Sequence, residues 1–175
     1  MDRKPRILVF TGKGKGKTTA ALGMALRACG HGMATAMIQF VKADEDTGEL
    51  IAARDLKNFE IIQSGLGWVP ASDDPEFDRH REAALNGLAL ARECVGNGSI
   101  DLLILDEVCF AVSAGLLDEG EVTDLFDDTP PGVILVLTGR DATGRVIERA
   151  DTVTEMRCVK HGLEQGREAQ RGVEM

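Results

Sequence analysis

The chain has 175 residues with a formal net charge of −9, from 20 basic and 29 acidic side chains, and 43% of its residues are hydrophobic. That length predicts one domain spanning residues 1–175, with a core large enough to need no covalent staples. The acidic balance argues against nucleic-acid binding, which needs a basic face; no run nears the roughly 20 apolar residues of a membrane span, and Met1 to Arg6 lead straight into a strand, so a cytoplasmic protein with neither membrane span nor leader is expected.

The first predicted element is a strand over 7–11, Ile-Leu-Val-Phe-Thr. It feeds Gly12-Lys13-Gly14-Lys15-Gly16-Lys17-Thr18-Thr19, three glycines alternating with three lysines before two hydroxyls. Glycine permits a tight turn and brings backbone N–H groups against phosphate oxygens. A following helix N-terminus adds N–H groups and a favourable dipole. In such a cradle Lys17 reaches the phosphates and the Thr18 hydroxyl serves a magnesium ion. The usual pattern asks for glycine five positions before Gly16, where this chain has Thr11. The loop is therefore a variant, with Gly12 and Gly14 supplying the flexibility.

The helix runs over 17–29, with Leu22, Ala25, Leu26 and Cys29 as its expected buried face, and Gly30 and Gly32 stop it. Residues 34–41 form a second strand, apolar on both faces as a buried parallel strand should be. A polar stretch over 43–56 holds a short helix, and 59–63 is a third strand. Ser64 to Pro70 is a glycine-rich loop carrying the single tryptophan, Trp68. The next helix is expected to start with Asp74 as N-cap and Pro75 at its first position. Its apolar stripe is Phe77, Ala84, Leu88, Ala91 and Val95, and Gly96-Asn97-Gly98 closes it.

A fourth strand covers 101–107, followed by short helices over 108–117 and 119–127 and the break Pro130-Pro131-Gly132. A fifth strand takes 133–138, Asp141 is the expected cap of a helix reaching Ala150, and 152–156 is the last strand. Residues 157–175 form a charged, glycine-interrupted tail. The four cysteines, Cys29, Cys94, Cys109 and Cys158, contain no CxxC pair, so they read as buried thiols of a reducing compartment rather than metal ligands.

Alternating strands and helices predict an α/β three-layer sandwich, P-loop NTPase-like (RecA-like), with a mostly parallel central sheet. Ligands in such sheets bind beyond the carboxyl ends of the strands. The phosphate loop, Lys42, the Trp68 loop, Asp106-Glu107 and Thr138-Gly139-Arg140 all follow strand ends and should share one rim. Asp106 ends four apolar residues, the position of a magnesium-binding carboxylate in P-loop proteins. Glu107 has two readings, a water-activating base or a second metal carboxylate. Trp68 also has two, core residue or ligand platform. His80 and His161 read as surface or packed histidines. No guanine-reading Asn-Lys-x-Asp motif and no arginine-rich lid is present, which argues against a GTPase and weakens a small-molecule kinase.

These residues resemble the ATP:corrinoid adenosyltransferases of the CobA/CobO/BtuR type over nearly the whole chain. The similarity lies in Gly12 to Gly23, Arg27-Ala28, Gly30-His31-Gly32, Gln39-Phe40-Val41-Lys42, Leu105-Asp106-Glu107 and Thr138-Gly139-Arg140. It is most specific in the tail: Ala150-Asp151, Val153-Thr154-Glu155-Met156, Lys160-His161, Gly166, Ala169-Gln170 and Gly172. The resemblance implies transfer of the 5′-deoxyadenosyl group of ATP to the cobalt(I) of cobalamin or a precursor corrinoid, in synthesis or salvage, with triphosphate leaving. The cradle would then hold a leaving group, and no water-activating base is needed. It implies catalytic roles for Lys17, Thr18 and Asp106, and ligand binding by Gly12, Lys13, Gly14, Lys15, Gly16, Lys17, Thr18, Thr19, Lys42, Trp68 and Arg140. It also implies Mg2+ (or Mn2+) on Thr18, Asp106 and Glu107, an electron donor such as a flavodoxin or reduced flavin, and a homodimer.

The sequence departs from that family in three places. Where the family has Gly-x-Gly-Phe-Thr-Trp, this chain has Gly65-Leu66-Gly67-Trp68-Val69-Pro70, with Trp68 in the phenylalanine position. Cys109-Phe110 replaces the family's Asn-Tyr, and six residues precede the first strand where the family has a longer segment over the corrinoid. Two readings compete with adenosyl transfer: an ATP-hydrolysing or phosphoryl-transferring enzyme, and a binding module without turnover.

Overall fold

The structure, a computed structural model, describes residues 4–173. Residues 1–3 of the expected leader-free N-terminus and 174–175 of the tail lie outside the described residues. Six strands form one sheet: β1 (Arg6–Thr11), β2 (Thr35–Gln39), β3 (Phe59–Gln63), β4 (Leu102–Asp106), β5 (Ile134–Thr138) and β6 (Thr152–Glu155). Their order is β3-β2-β4-β5-β1-β6, and every pairing is parallel. The expectation of a mostly parallel sheet is thus met by a wholly parallel one, whose carboxyl ends share one rim.

The helices are α1 (Lys17–Gly30), α2 (Gly48–Ala53), α3 (Phe77–Gly96), α4 (Val108–Ser113), α5 (Glu119–Asp128) and α6 (Gly144–Arg149). One face of the sheet packs Met37, Leu102, Ile104 and Val136 against Ala21, Ala25 and Ala28 of α1. The other face packs Ile38, Leu103, Leu105 and Leu137 with Leu88 and Ala91 of α3 and with Leu125 of α5. β2 and β4 are buried along their whole length, which is why both read as unbroken apolar runs rather than alternating ones.

Three local expectations are corrected. The buried stripe of α1 is Ala21, Ala25 and Ala28, while Leu26 is 62% exposed and Cys29 only partly covered. Small alanines let the helix lie close to the sheet, and Leu26, one position on from Ala25, points off that stripe. Asp74 does not cap α3. Its carboxylate accepts the Glu76 N–H in a local turn at 2.8 Å, and the helix begins at Phe77, a competing bond typical of aspartate before a helix. Asp141 likewise does not cap α6. Thr143 does, its hydroxyl accepting from Val146 N–H, and Asp141 adopts a left-handed φ of 55°. Asp118 caps α5 with a complete capping box closed by Glu121. Of the four thiols only Cys109 is buried, and Cys158 is exposed.

Candidate active site

The phosphate loop leaves β1 through Gly12, at a φ of 95°, and enters α1 through Gly16, at a φ of 115°. Left-handed values of this size suit glycine. Thr11, standing where the usual pattern has glycine, is buried. Its hydroxyl accepts Ala142 N–H at 3.2 Å, tying the β1 end to the β5–α6 connection. Gly14 N–H donates to Met156 O at 2.6 Å, so the end of β6 braces the loop from outside. Side chains at Gly12 or Gly14 would strike the Met156 backbone.

Lys17 is buried and folds back, donating through Nζ to Gly12 O at 2.9 Å and to Gly14 O at 3.0 Å. These carbonyls hold the ammonium inside the loop's curve. Burial lowers its pKa below the ordinary lysine value and Arg140 adds to the drop, while Glu107 and Asp106 oppose both. Thr18 Oγ1 donates to Asp106 Oδ1 at 2.8 Å. A fully buried Asp106 thus meets the loop hydroxyl at one point, two hard oxygen donors of the kind magnesium takes. Thr138 Oγ1 donates to the same Oδ1 at 2.8 Å and accepts Glu107 N–H at 2.9 Å.

Glu107 has a left-handed φ of 62°, a strain of about 1–2 kcal/mol for a residue with a Cβ. Burial raises its carboxyl pKa, Asp106 adds to the rise, and Lys17 and Arg140 oppose it. Lys42 is ion-paired with Glu49 of α2. Burial would raise the Glu49 pKa, but hydrogen bonds, led by the one from Lys42, hold it below the ordinary value.

Lys15 to Thr19, Lys42, Glu49 and Glu107 line one cleft of about 810 Å3. Its polar end is the phosphate loop, and its far wall is apolar, formed by Leu22, Leu26, Ala52, Leu56 and Phe59. The exposed Leu26 thus lines the cleft. His161, Gly172 and Val173 of the tail close one side, and Lys15 Nζ donates to Val173 O at 2.6 Å. Gly12 and Lys13 border a different hollow, beside Asp141 and Glu155. Arg140 is exposed and reaches Lys17 and Glu107 only through its charge. Trp68 is 92% exposed on its loop and does not line the cleft.

Thr138 sits at the rim as expected, and Glu49, Gln39 and Gln63 join this polar region without having been expected there as site residues. The available signal was a polar residue closing each apolar strand, Gln39, Gln63, Asp106 and Thr138; a sheet buried on both faces tolerates polar groups only at its rim. Among the described residues no group of three or more His, Cys, Asp or Glu side chains is poised to hold a metal.

The profile of the ATP:corrinoid adenosyltransferase family BtuR/CobO/CobP matches residues 3–175. The chain belongs to that family. It is similar to the corrinoid adenosyltransferase of Escherichia coli K12, with 34% identity over 175 residues covering 99% of this chain and 87% of the relative. The Pseudomonas aeruginosa corrinoid adenosyltransferase is 36% identical, covering 99% of this chain and 85% of the relative. The one from a Sinorhizobium species is 38% identical, covering 99% and 81%. As a member of this family the chain is an α/β transferase whose substrates are ATP and a corrinoid, which bears out the resemblance. Among the described residues no helix is long and apolar enough to cross a membrane.

Proposed function

We propose that this protein binds ATP with its triphosphate on Gly12 to Thr19 and transfers the 5′-deoxyadenosyl group to the cobalt(I) of cobalamin or a precursor corrinoid. In that reaction cobalt(I) is the nucleophile toward C5′, the C5′–oxygen bond breaks, and inorganic triphosphate departs with the bonding pair. The observation that carries this reading is the 2.8 Å contact between Thr18 Oγ1 and Asp106 Oδ1 beside a lysine-lined phosphate loop. Thr18 and Asp106 would hold Mg2+ (or Mn2+), with Glu107 close by; a bound divalent cation neutralises charge on the leaving phosphates.

The chain's own groups supply the rest. Loop N–H groups, Lys15 and Lys17 stabilise negative charge growing on the leaving triphosphate, an electrostatic contribution made before the reaction begins. For Lys17 to serve, its Nζ exchanges the Gly12 and Gly14 carbonyls for phosphate oxygens. Lys42 and Arg140 add positive charge at the rim. The cleft's length fixes the nucleoside relative to the phosphates, which lowers the entropy lost on reaching the reacting geometry. Trp68, exposed on a loop at the same rim, offers a large flat apolar surface to the corrin. A homodimer and an electron donor such as a flavodoxin or reduced flavin, which the resemblance implies, and a single functional unit over 1–175 and a cytoplasmic location, expected from length and composition, belong to the same proposal.

Hydrolysis is the competing reading, favoured by Glu107, a carboxyl of raised pKa facing the cleft. One assay separates the two. Protein, magnesium-ATP and chemically reduced cobalamin are mixed without oxygen in dim light. Adenosyl transfer yields a light-sensitive cobalt–carbon product and triphosphate. Orthophosphate or ADP with no cobalt product would establish hydrolysis, and a bound nucleotide with no product of either kind would leave a carrier.

A further inference from the structure

Asp106 is one member of a longer polar chain. Gln63, Gln39 and Asp106 close three adjacent parallel strands in register: Gln39 pairs with Gln63 across β2 and β3, and with Asp106 across β2 and β4. In-register residues of neighbouring strands project to the same face, and here the side chains bond to one another in a fixed direction. Gln63 Nε2 donates to Gln39 Oε1 at 3.0 Å, and also to Asp44 O at 3.0 Å. With its carbonyl oxygen taken, Gln39 turns its NH2 toward two carboxylates. It donates to Asp106 Oδ2 at 3.3 Å and to Glu49 Oε1 at 3.4 Å. Glu49 in turn holds Lys42.

Gln39 is fully buried at the end of an otherwise apolar strand. An amide there loses its hydration and must be satisfied by protein partners; a leucine would fill similar space without that cost. The two oxygens of Asp106 are served differently. Oδ1 accepts two hydroxyls, from Thr18 and Thr138, whereas among the side-chain donors of the described residues Oδ2 accepts only Gln39. Without that donor, Oδ2 would be buried and unmatched among these side chains, and the carboxylate would be held about its χ2 bond through Oδ1 alone. A reversed Gln39 amide would put a carbonyl oxygen against both carboxylates, an arrangement that the Gln63 bond opposes.

We propose that Gln39 is a positioning residue. It aims the Asp106 carboxylate at the metal and couples it to the Lys42–Glu49 pair, and Gln63 keeps the Gln39 amide in the required sense. This rests on the assignment of Thr18 and Asp106 to the metal. Partners that orient metal-binding side chains typically change metal affinity by about 10–100-fold when removed.

The test is a thermodynamic coupling. ATP affinity is measured by calorimetry on the full chain, once with excess Mg2+ and once with EDTA, for wild type, Q39L, Q63L and D106N. The expected result is a fall of about tenfold in the Mg2+-dependent gain in affinity for Q39L, with affinity in EDTA unchanged. Q63L should show a smaller fall in the same sense. A merely structural role would lower both affinities together or shift only the melting temperature. If D106N loses the gain while Q39L and Q63L keep the wild-type value, the positioning role is overturned and the metal assignment stands. If D106N also keeps it, the metal assignment falls and the inference with it. Should Q39L fail to fold, Q63L, half-exposed on an edge strand, decides alone by the same measure.

Discussion

The Trp68 loop contains two glycines whose replacement by alanine should fail for different reasons, and the contrast tests how the loop is held. Gly65 lies against the strand-end segment it crosses: a Cβ there would sit 2.5 Å from Val41 Cα and closer still to the Val41 carbonyl. All of these are backbone atoms, so no rotamer change relieves the clash. The loop must lift, which endangers the bonds of Ser64 N–H and Gly65 N–H to Gln39 O, at 3.0 and 3.1 Å, and of Gly67 N–H to Val41 O, at 2.7 Å. Overpacking costs about 1–3 kcal/mol and each lost hydrogen bond about 1 kcal/mol. G65A should therefore cost about 4–6 kcal/mol if all three bonds go. Gly67 has a φ of 91°, and a Cβ added there would meet nothing within 4 Å. G67A should cost only the left-handed backbone penalty, about 1–2 kcal/mol. For a chain of this size each kcal/mol lowers Tm by about 2–4 °C. The assay is thermal unfolding by calorimetry, paired with the emission of Trp68, the single tryptophan, which reports the loop directly. G65A should also weaken corrinoid binding while sparing ATP. A G65A protein at least as stable as G67A, with unaltered Trp68 emission, would refute the stapled-loop reasoning.

Four further outcomes are expected. K17A should nearly abolish adenosyl transfer at saturating ATP; a wild-type rate would remove Lys17 from the phosphate cradle. W68A should keep ATP affinity but slow cobalt reduction or alkylation, and an equal loss of ATP affinity would take Trp68 off the corrin side. The carboxylates Glu107 and Glu49 should respond to pH with opposite signs. The Glu107 pKa is raised on folding, so its ionised form costs stability above the folded pKa and nothing below the unfolded one. E107Q should therefore raise Tm at neutral pH, the gain vanishing as pH falls through that window. The Glu49 pKa is lowered, so its contribution is full above the unfolded value and lost as pH falls through the folded one. E49Q should lower Tm at neutral pH and match wild type in acid. Finally, alkylation followed by mass spectrometry should label the exposed Cys158 well before Cys109, whose thiol is pushed up to about 12 by burial.

What the sequence determined by itself was local and periodic. Short apolar or β-branched runs located every strand to within two residues at each end, and the lysine–glycine loop could be read as a candidate phosphate cradle because its chemistry is contiguous. Asp106 stood out as a candidate because a carboxylate closing a buried strand beside such a loop needs polar partners, and the structure supplies Thr18 and Thr138. The tertiary structure alone decided which strand ends are neighbours. Gln39, Gln63 and Asp106 are far apart in the chain, and only the order β3-β2-β4 with its register brings them into one bonded row. It also decided which face of α1 is buried, because helical periodicity marks an apolar stripe but not whether a sheet or a ligand cleft lies against it. Leu26 fits the stripe by spacing, yet it belongs to the cleft wall. Asp74 and Asp141 had the residue type of caps, but each aspartate can instead serve a turn, and the path of the incoming chain settled the choice. The tail shows the same division: its residues marked the family, while its contact with Lys15 and its place along the cleft depend on how the chain returns after β6.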